Sequence, residues 1–195
     1  MKKLVALVIA LLALFALISR PTTEQIQGTG VAQVTASAKQ ATAGWQGYKS
    51  TQGIYSVLMP STPTETKRTA NTPVGPLDMY ISYWSDDTTA YVVMFSDYTK
   101  SVIKNEKPDQ MQDNMRDAAV SSVQGKLLNE YIISLGVYPG REFRIETPDG
   151  AHTAIMRGYL VGNRAYSIGV TTTKEKSYNK SVTEFLDSFK LTGDK

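Results

Sequence analysis

The segment GREFRIETPDGAHTAIMRG, from Gly140 to Gly158, gathers Arg141, Glu142, Arg144, Glu146, Arg157 and the chain's one histidine, His152, around a single turn. Imidazole titrates near neutral pH, so His152 is a candidate general base. A guanidinium presents a planar fork of donors suited to carboxylate or phosphate. Arg144 and Arg157 could therefore flank an anionic group, with Arg141 and Arg164 at neighbouring strand positions. Alternating charges on facing strands can also simply neutralise one another, each pair contributing roughly 0.2–1 kcal/mol. Along REFRIE, Phe143 and Ile145 point one way and Glu142, Arg144 and Glu146 the other. The plainest reading is a β-hairpin with one buried and one solvated face, in which the glutamates neutralise Arg144 and His152 is exposed past the turn. The arginine patch is the sharper reading.

Other chemistries lack their residues. The chain has no cysteine and a single histidine, so a metal site would have to be built almost wholly from oxygen. Asp109, Asp113 and Asp117 step by four along a helical segment, but acids near a helix start are favoured by its dipole alone. No calcium-binding loop accompanies them. There is no G-x-S-x-G elbow, no phosphate loop and no G-x-G-x-x-G after a strand. No cofactor and no metal ligand set is expected. Among the aromatics, Tyr80 and Trp84 fall on one side of a strand and could line a binding surface.

These side chains need elements to hold them, and the sequence marks those elements by period. GIYSVLMP reads as a strand stopped by Pro60, and STPTETKRTANTPVGP as a polar loop or edge strand. LDMYISYW sets Leu77, Met79, Ile81 and Tyr83 against Asp78, Tyr80, Ser82 and Trp84. After a turn at 86–88, AYVVMFSDY returns as the next strand. Pro108 opens a helix whose apolar face carries Met111, Met115, Ala118, Ala119, Ser122 and Val123, with Gly125 as its stop. KLLNEYIISL, GREFRIET, HTAIMRGYLVG and RAYSIGVTTT follow as strands, the last three joined by turns at PDG and GN. A closing helix, capped by Ser177, carries Tyr178, Val182, Phe185, Leu186 and Phe189 as one stripe. Hairpins without βαβ alternation predict an α+β fold with a mainly antiparallel sheet packed by helices.

The first 44 residues differ in kind. Lys2 and Lys3 precede LVALVIALLALFALIS, sixteen uncharged residues, which as a helix would span roughly 24 Å against a hydrocarbon core of ~30 Å. Residues 1–20 are a cleaved export signal or a retained anchor; both place the domain outside the cytoplasm. Residues 21–44, rich in Thr, Gln, Gly, Ala and Ser, read as a flexible linker, and 45–195 as the folded domain. Three of the 21 basic residues and one of the 18 acidic residues precede Lys39, leaving 18 against 17. That balance gives the domain no electrostatic attraction to nucleic acid or anionic lipid. Membrane contact is expected through the N-terminal segment alone.

Several pieces are familiar together: GIYSVLMP followed by Pro63, GREF at Gly140–Phe143, YLVGNRAY at Tyr159–Tyr166 and FLDSFKL at Phe185–Leu191. In this order they resemble exported bacterial proteins. The element order and closing helix resemble the PsbP-like fold, shared by the extrinsic PsbP subunits of photosystem II and the Ran-binding factor Mog. The resemblance covers about 45–191. It implies an antiparallel sheet sandwiched between helices and a protein that acts by binding rather than catalysis; no functional residue carries over.

The expectation is a non-enzymatic extracytoplasmic module that binds a protein of the envelope or membrane through a sheet edge or exposed face. Its test residues are Arg141, Arg144, Arg157, Arg164, Tyr80 and Trp84. The alternatives are a small-molecule carrier with a pocket between sheet and helices, and a hydrolase with two close carboxylates in a cleft.

Overall fold

The computed structural model describes residues 42–72 and 75–193. The apolar leader and nearly all of the linker lie outside the described residues. Among the described residues ten strands and three α-helices follow in the order β1 Gln46–Ser50, β2 Tyr55–Met59, β3 Thr64–Thr72, β4 Gly75–Ser85, β5 Thr89–Asp97, α1 Lys100–Asn105, α2 Pro108–Ser122, β6 Lys126–Leu135, β7 Tyr138–Glu146, β8 His152–Val161, β9 Arg164–Thr173, α3 Lys180–Ser188 and β10 Lys190–Leu191.

Two meanders build the main sheet. β3, β4 and β5 form one, and β6 to β9 the other. β5 then pairs antiparallel with β9, giving seven strands in the order β3-β4-β5-β9-β8-β7-β6. The expected α+β class with a mainly antiparallel sheet is what the chain adopts. β5 sits at the centre of this order, and all of its residues but the last are buried, which accounts for its unbroken run AYVVMF.

Each face of the sheet has its own core. On one side Met79, Ile81, Val92, Met94, Phe143, Ile145, Ala154 and Met156 pack with Ala119 and Val123 of the α2 segment. On the other, Tyr91, Val93, Ile155, Tyr159, Tyr166, Ile168 and Val170 meet Val182, Phe185, Leu186 and Phe189. This second face is shared by α3 and a small sheet, β1-β2-β10, whose Tyr55, Val57 and Met59 complete the cluster. Burying each such side chain is worth roughly 1.5–3 kcal/mol.

Local details differ from the sequence expectation: β1 was not marked, and Lys190–Leu191, read as the end of the closing helix, forms β10. The short helix α1 was not marked by periodicity: none of its six residues is buried, so no apolar stripe announces it. Ser177 does not cap α3. It lies in a 3₁₀ turn at Lys176–Tyr178, and Asn179 takes the cap position in extended conformation. Tyr178, placed on the apolar stripe, is instead 77% exposed. At the end of α2 the left-handed residue is Gln124, φ +50°, not Gly125. Gly125 N donates to Val120 O and Gln124 N to Ser121 O, the two bonds of a Schellman ending. Gly125 is needed for space: a Cβ there would lie 2.4 Å from Glu146 O and 2.6 Å from Ile145 Cγ2.

Candidate functional site

The register of β6, β7 and β8 decides what the hairpin of charges does. Glu142 lies opposite Arg157 and Arg144 opposite Ile155, while Tyr131 and Asn129 of β6 lie opposite Glu142 and Arg144. Alternation therefore sets Glu142, Arg144, Arg157, Tyr131 and Asn129 on the α3 face. Arg144 and Arg157 do share a face, but they do not flank an empty site together. Arg157 donates to Glu142 Oε2 at 2.8 Å and to Asp187 Oδ1 of α3 at 2.7 Å. Glu146 accepts from Lys174 at 2.8 Å, and that bond lowers the glutamate's pKa. Both glutamates expected to neutralise Arg144 are thus taken by other cations.

Arg144 makes no ion pair and no hydrogen bond among the described residues; its Nη1 is buried without an acceptor. Its guanidinium lies 4.6 Å from the centroid of the exposed Tyr178 ring, a cation–π contact. An arginine so placed is a donor in search of an acceptor.

Arg141 points to the opposite face. It meets Glu130 at 2.7 Å and Asp113 of α2 at 2.8 Å. Arg116 reaches Asp113, Asp117 and Glu130 at 3.0, 2.8 and 3.3 Å. This cluster fastens α2 to the sheet and absorbs Asp113 and Asp117. Among the described residues no group of three metal-binding side chains gathers.

Arg164 and Tyr80 end up in a third place. Arg164 holds Asp97 with two bonds, 2.6 and 2.7 Å, and donates to Gln52 O at 2.9 Å. Hydrogen bonding to Asp97 raises the Arg164 pKa further. Its guanidinium covers Phe95 at 4.5 Å, Phe95 stacks on Tyr80 at 4.8 Å, and Lys67 covers Tyr80 at 5.2 Å. The result is a cation–aromatic–aromatic–cation ladder across β9, β5, β4 and β3. Trp84 lies apart from it, 6.0 Å from Tyr91, which also meets Trp45 at 4.9 Å. Open clefts of about 440 Å³ lie at either end of the ladder, one beside Tyr80, Lys67, Glu65 and Ser82, the other beside Arg164 and Asp97. In the first, Glu65 is held by the Tyr48 hydroxyl, and Ser82 by Tyr55 at 3.0 Å.

His152 is a turn fastener. Its Nδ1 lies 2.8 Å from Asp149 Oδ2, and its side chain is only 18% exposed, less than the sequence suggested. Asp149 also accepts from Thr147 Oγ1 at 2.6 Å and Ala151 N at 2.9 Å. With the Thr147 hydroxyl as the largest cause, these bonds hold its carboxyl well below the usual range.

What the sequence reading did not find is the second free margin of the sheet, at β6; β3 was already marked as a polar loop or edge strand. The sheet's two edge strands are β3 and β6. β3, TETKRTANT, is polar and charged, as a protected edge should be. β6 and the turn after it expose Ile132 at 88%, Val137 at 87%, Tyr131 at 49% and Leu128 at 40%. The signal was present in KLLNEYIISLGV, which carries apolar residues on both faces, but that pattern also fits a central strand.

No model of a known protein family matches the chain, and no curated protein sequence matches it. Among solved structures it is similar to the solution structure of cyanobacterial PsbP (CyanoP) from Synechocystis sp. PCC 6803. The TM-score is 0.53 at 12% identity, over 81% of this chain and 98% of that one. A weaker likeness, TM-score 0.34 at 11% identity over 68% of this chain and 85% of the other, links it to PA94 of Pseudomonas aeruginosa, a protein of unknown function, and carries no argument. The chain has the PsbP-like fold expected from its sequence.

Proposed function

We propose that the protein is a non-catalytic binding module that works outside the cytoplasm on a protein of the envelope or membrane, using the β6 margin of its main sheet. One observation carries this reading: the sheet leaves one edge charged and the other apolar, with Ile132 and Val137 nearly fully exposed. An exposed apolar edge is an aggregation hazard unless a partner covers it. The basic-then-apolar start of the sequence supports the location.

The carrier and hydrolase readings have less support. The space between the main sheet and the α3 segment is taken by the ring pairs Tyr91–Phe185 and Tyr166–Phe189. Asp113 and Glu130 do approach one another, but Arg141 and Arg116 hold both.

The test is cross-linking and pull-down of the tagged full-length protein from membrane fractions, beside an Ile132→Lys/Val137→Lys variant. One envelope partner recovered with the wild type and lost with the variant is the expected result. A partner retained unchanged by the variant would remove the β6 margin from the proposal.

A further inference from the structure

We infer that the partner adds an extended segment to β6 and delivers a carboxylate to Arg144, with apolar side chains of the same segment covering Ile132. The inference rests on the proposed role of the β6 margin and adds the chemistry of the partner.

Three features of this corner fit together. Arg144 is the arginine of the α3 face left without an acceptor, since Glu142 and Glu146 are bonded to Arg157 and Lys174. Directly opposite it on β6 is Asn129, a short and exposed residue, with Tyr131 two positions further along the same face. Ile132 projects from the other face, beside Arg141 in the register.

A strand added to β6 would lie two strand spacings from β7, about 10 Å. The guanidinium rests on Tyr178 of the turn packed against β8 and β9; swung from there toward β6, an arginine and a glutamate can close that gap together over the short Asn129. Tyr178, which lies over the guanidinium, is 77% exposed, so turning it aside uncovers Arg144 with little loss of burial. The period of two then dictates the partner's pattern: acidic residues toward Arg144 and apolar residues toward Ile132. Tyrosine and arginine together are also the residue types on which binding energy concentrates.

The experiment titrates full-length protein against a labelled peptide alternating glutamate with valine, and against its twin with glutamine for glutamate. The acidic peptide should bind at least about tenfold more tightly, since bonds between charged groups at partly buried sites are the strong ones. Raising the salt should narrow the difference. Arg144→Gln should erase the preference while keeping residual binding. Ile132→Lys should abolish binding of both peptides, and Lys67→Gln on the opposite edge should change nothing. Near-ultraviolet circular dichroism would establish that each variant is folded.

Equal binding of the two peptides, or an acidic preference that survives Arg144→Gln, overturns the carboxylate and leaves the margin standing if Ile132→Lys still abolishes binding and capture. Peptide and partner binding unaffected by Ile132→Lys overturns the margin and the inference with it. Absence of binding by either peptide overturns the inference. So does Ile132-dependent self-association in sedimentation equilibrium without peptide, which would assign the edge to a second copy of the chain.

Discussion

Arg144 and Arg157 stand on adjacent strands of one face, yet their circumstances are opposite. Arg157, with a side chain 17% exposed, joins β8 to Glu142 of β7 and Asp187 of α3. Replacing it with Gln strands a carboxylate that is itself only 14% exposed, and should cost about 2 kcal/mol. Arg144→Gln removes no ion pair, only the contact with the Tyr178 ring, and should cost no more than about 0.5–1 kcal/mol. Urea denaturation of the two variants side by side checks the contrast, and equal losses would contradict the pairing described. The alternation REFRIE placed Arg144 with Glu142 and Glu146 on one face; that Arg157 shares this face follows only from the register of β7 and β8. The alternation did not show which glutamate each would meet, because Arg157's other partner, Asp187, comes from α3, 30 residues further along the chain.

At the scale of elements, the end of α2 divides two jobs between neighbours. Gln124 adopts the left-handed conformation and Gly125 makes the close approach to β7. Gln124→Gly should stabilise by up to about 1 kcal/mol, by removing the strain of a side chain at positive φ. Gly125→Ala should destabilise by about 1–3 kcal/mol, because backbone and Ile145 stand where the methyl would go. Thermal melts should show opposite shifts, roughly 2–4 °C per kcal/mol for a chain of this size. The helix docked on the second face depends on Phe185, which is fully buried between sheet and α3; Phe185→Ala should cost about 3–5 kcal/mol by the same measurement. Gly125 was legible as a stop signal, but the reason for it was not, since crowding against Glu146 is a contact between distant segments.

For the whole molecule, acid is the informative variable. Asp78, Glu146, Asp149 and Glu184 all have lowered pKa values, through bonds led by Lys67, Lys174, Thr147 and Thr42 respectively. A carboxylate whose folded pKa is depressed contributes stability that is complete above its unfolded value, about 4, and is lost as pH falls through the folded value. Urea midpoints should therefore hold steady from about pH 7 to 5 and fall below about pH 4. Asp149→Asn should flatten part of that fall; a midpoint that rises on acidification would contradict the assignment. The bond from Thr42 to Glu184, 2.5 Å long, also ties the start of the described chain to α3. The opening of the domain and its last helix thus share one response to acid.

The sequence by itself determined eight of the ten strands and two of the three helices among the described residues, together with the turns and the α+β class; β1 went unmarked and β10 was read as the end of the closing helix. The marked elements follow from period and turn chemistry, which act between residues a few positions apart. It also determined that the domain beyond Ala38 is nearly balanced in charge. The tertiary structure decided the rest: that β5 pairs with β9, that β6 becomes the second edge opposite β3, and that six candidate residues part into separate surroundings. Those outcomes depend on which distant strands meet and in what register, and antiparallel strands with similar apolar faces do not carry that choice in their local patterns. The exposure of Ile132 and the isolation of Arg144 arise only once the sheet is assembled, because each is defined by neighbours that did or did not arrive.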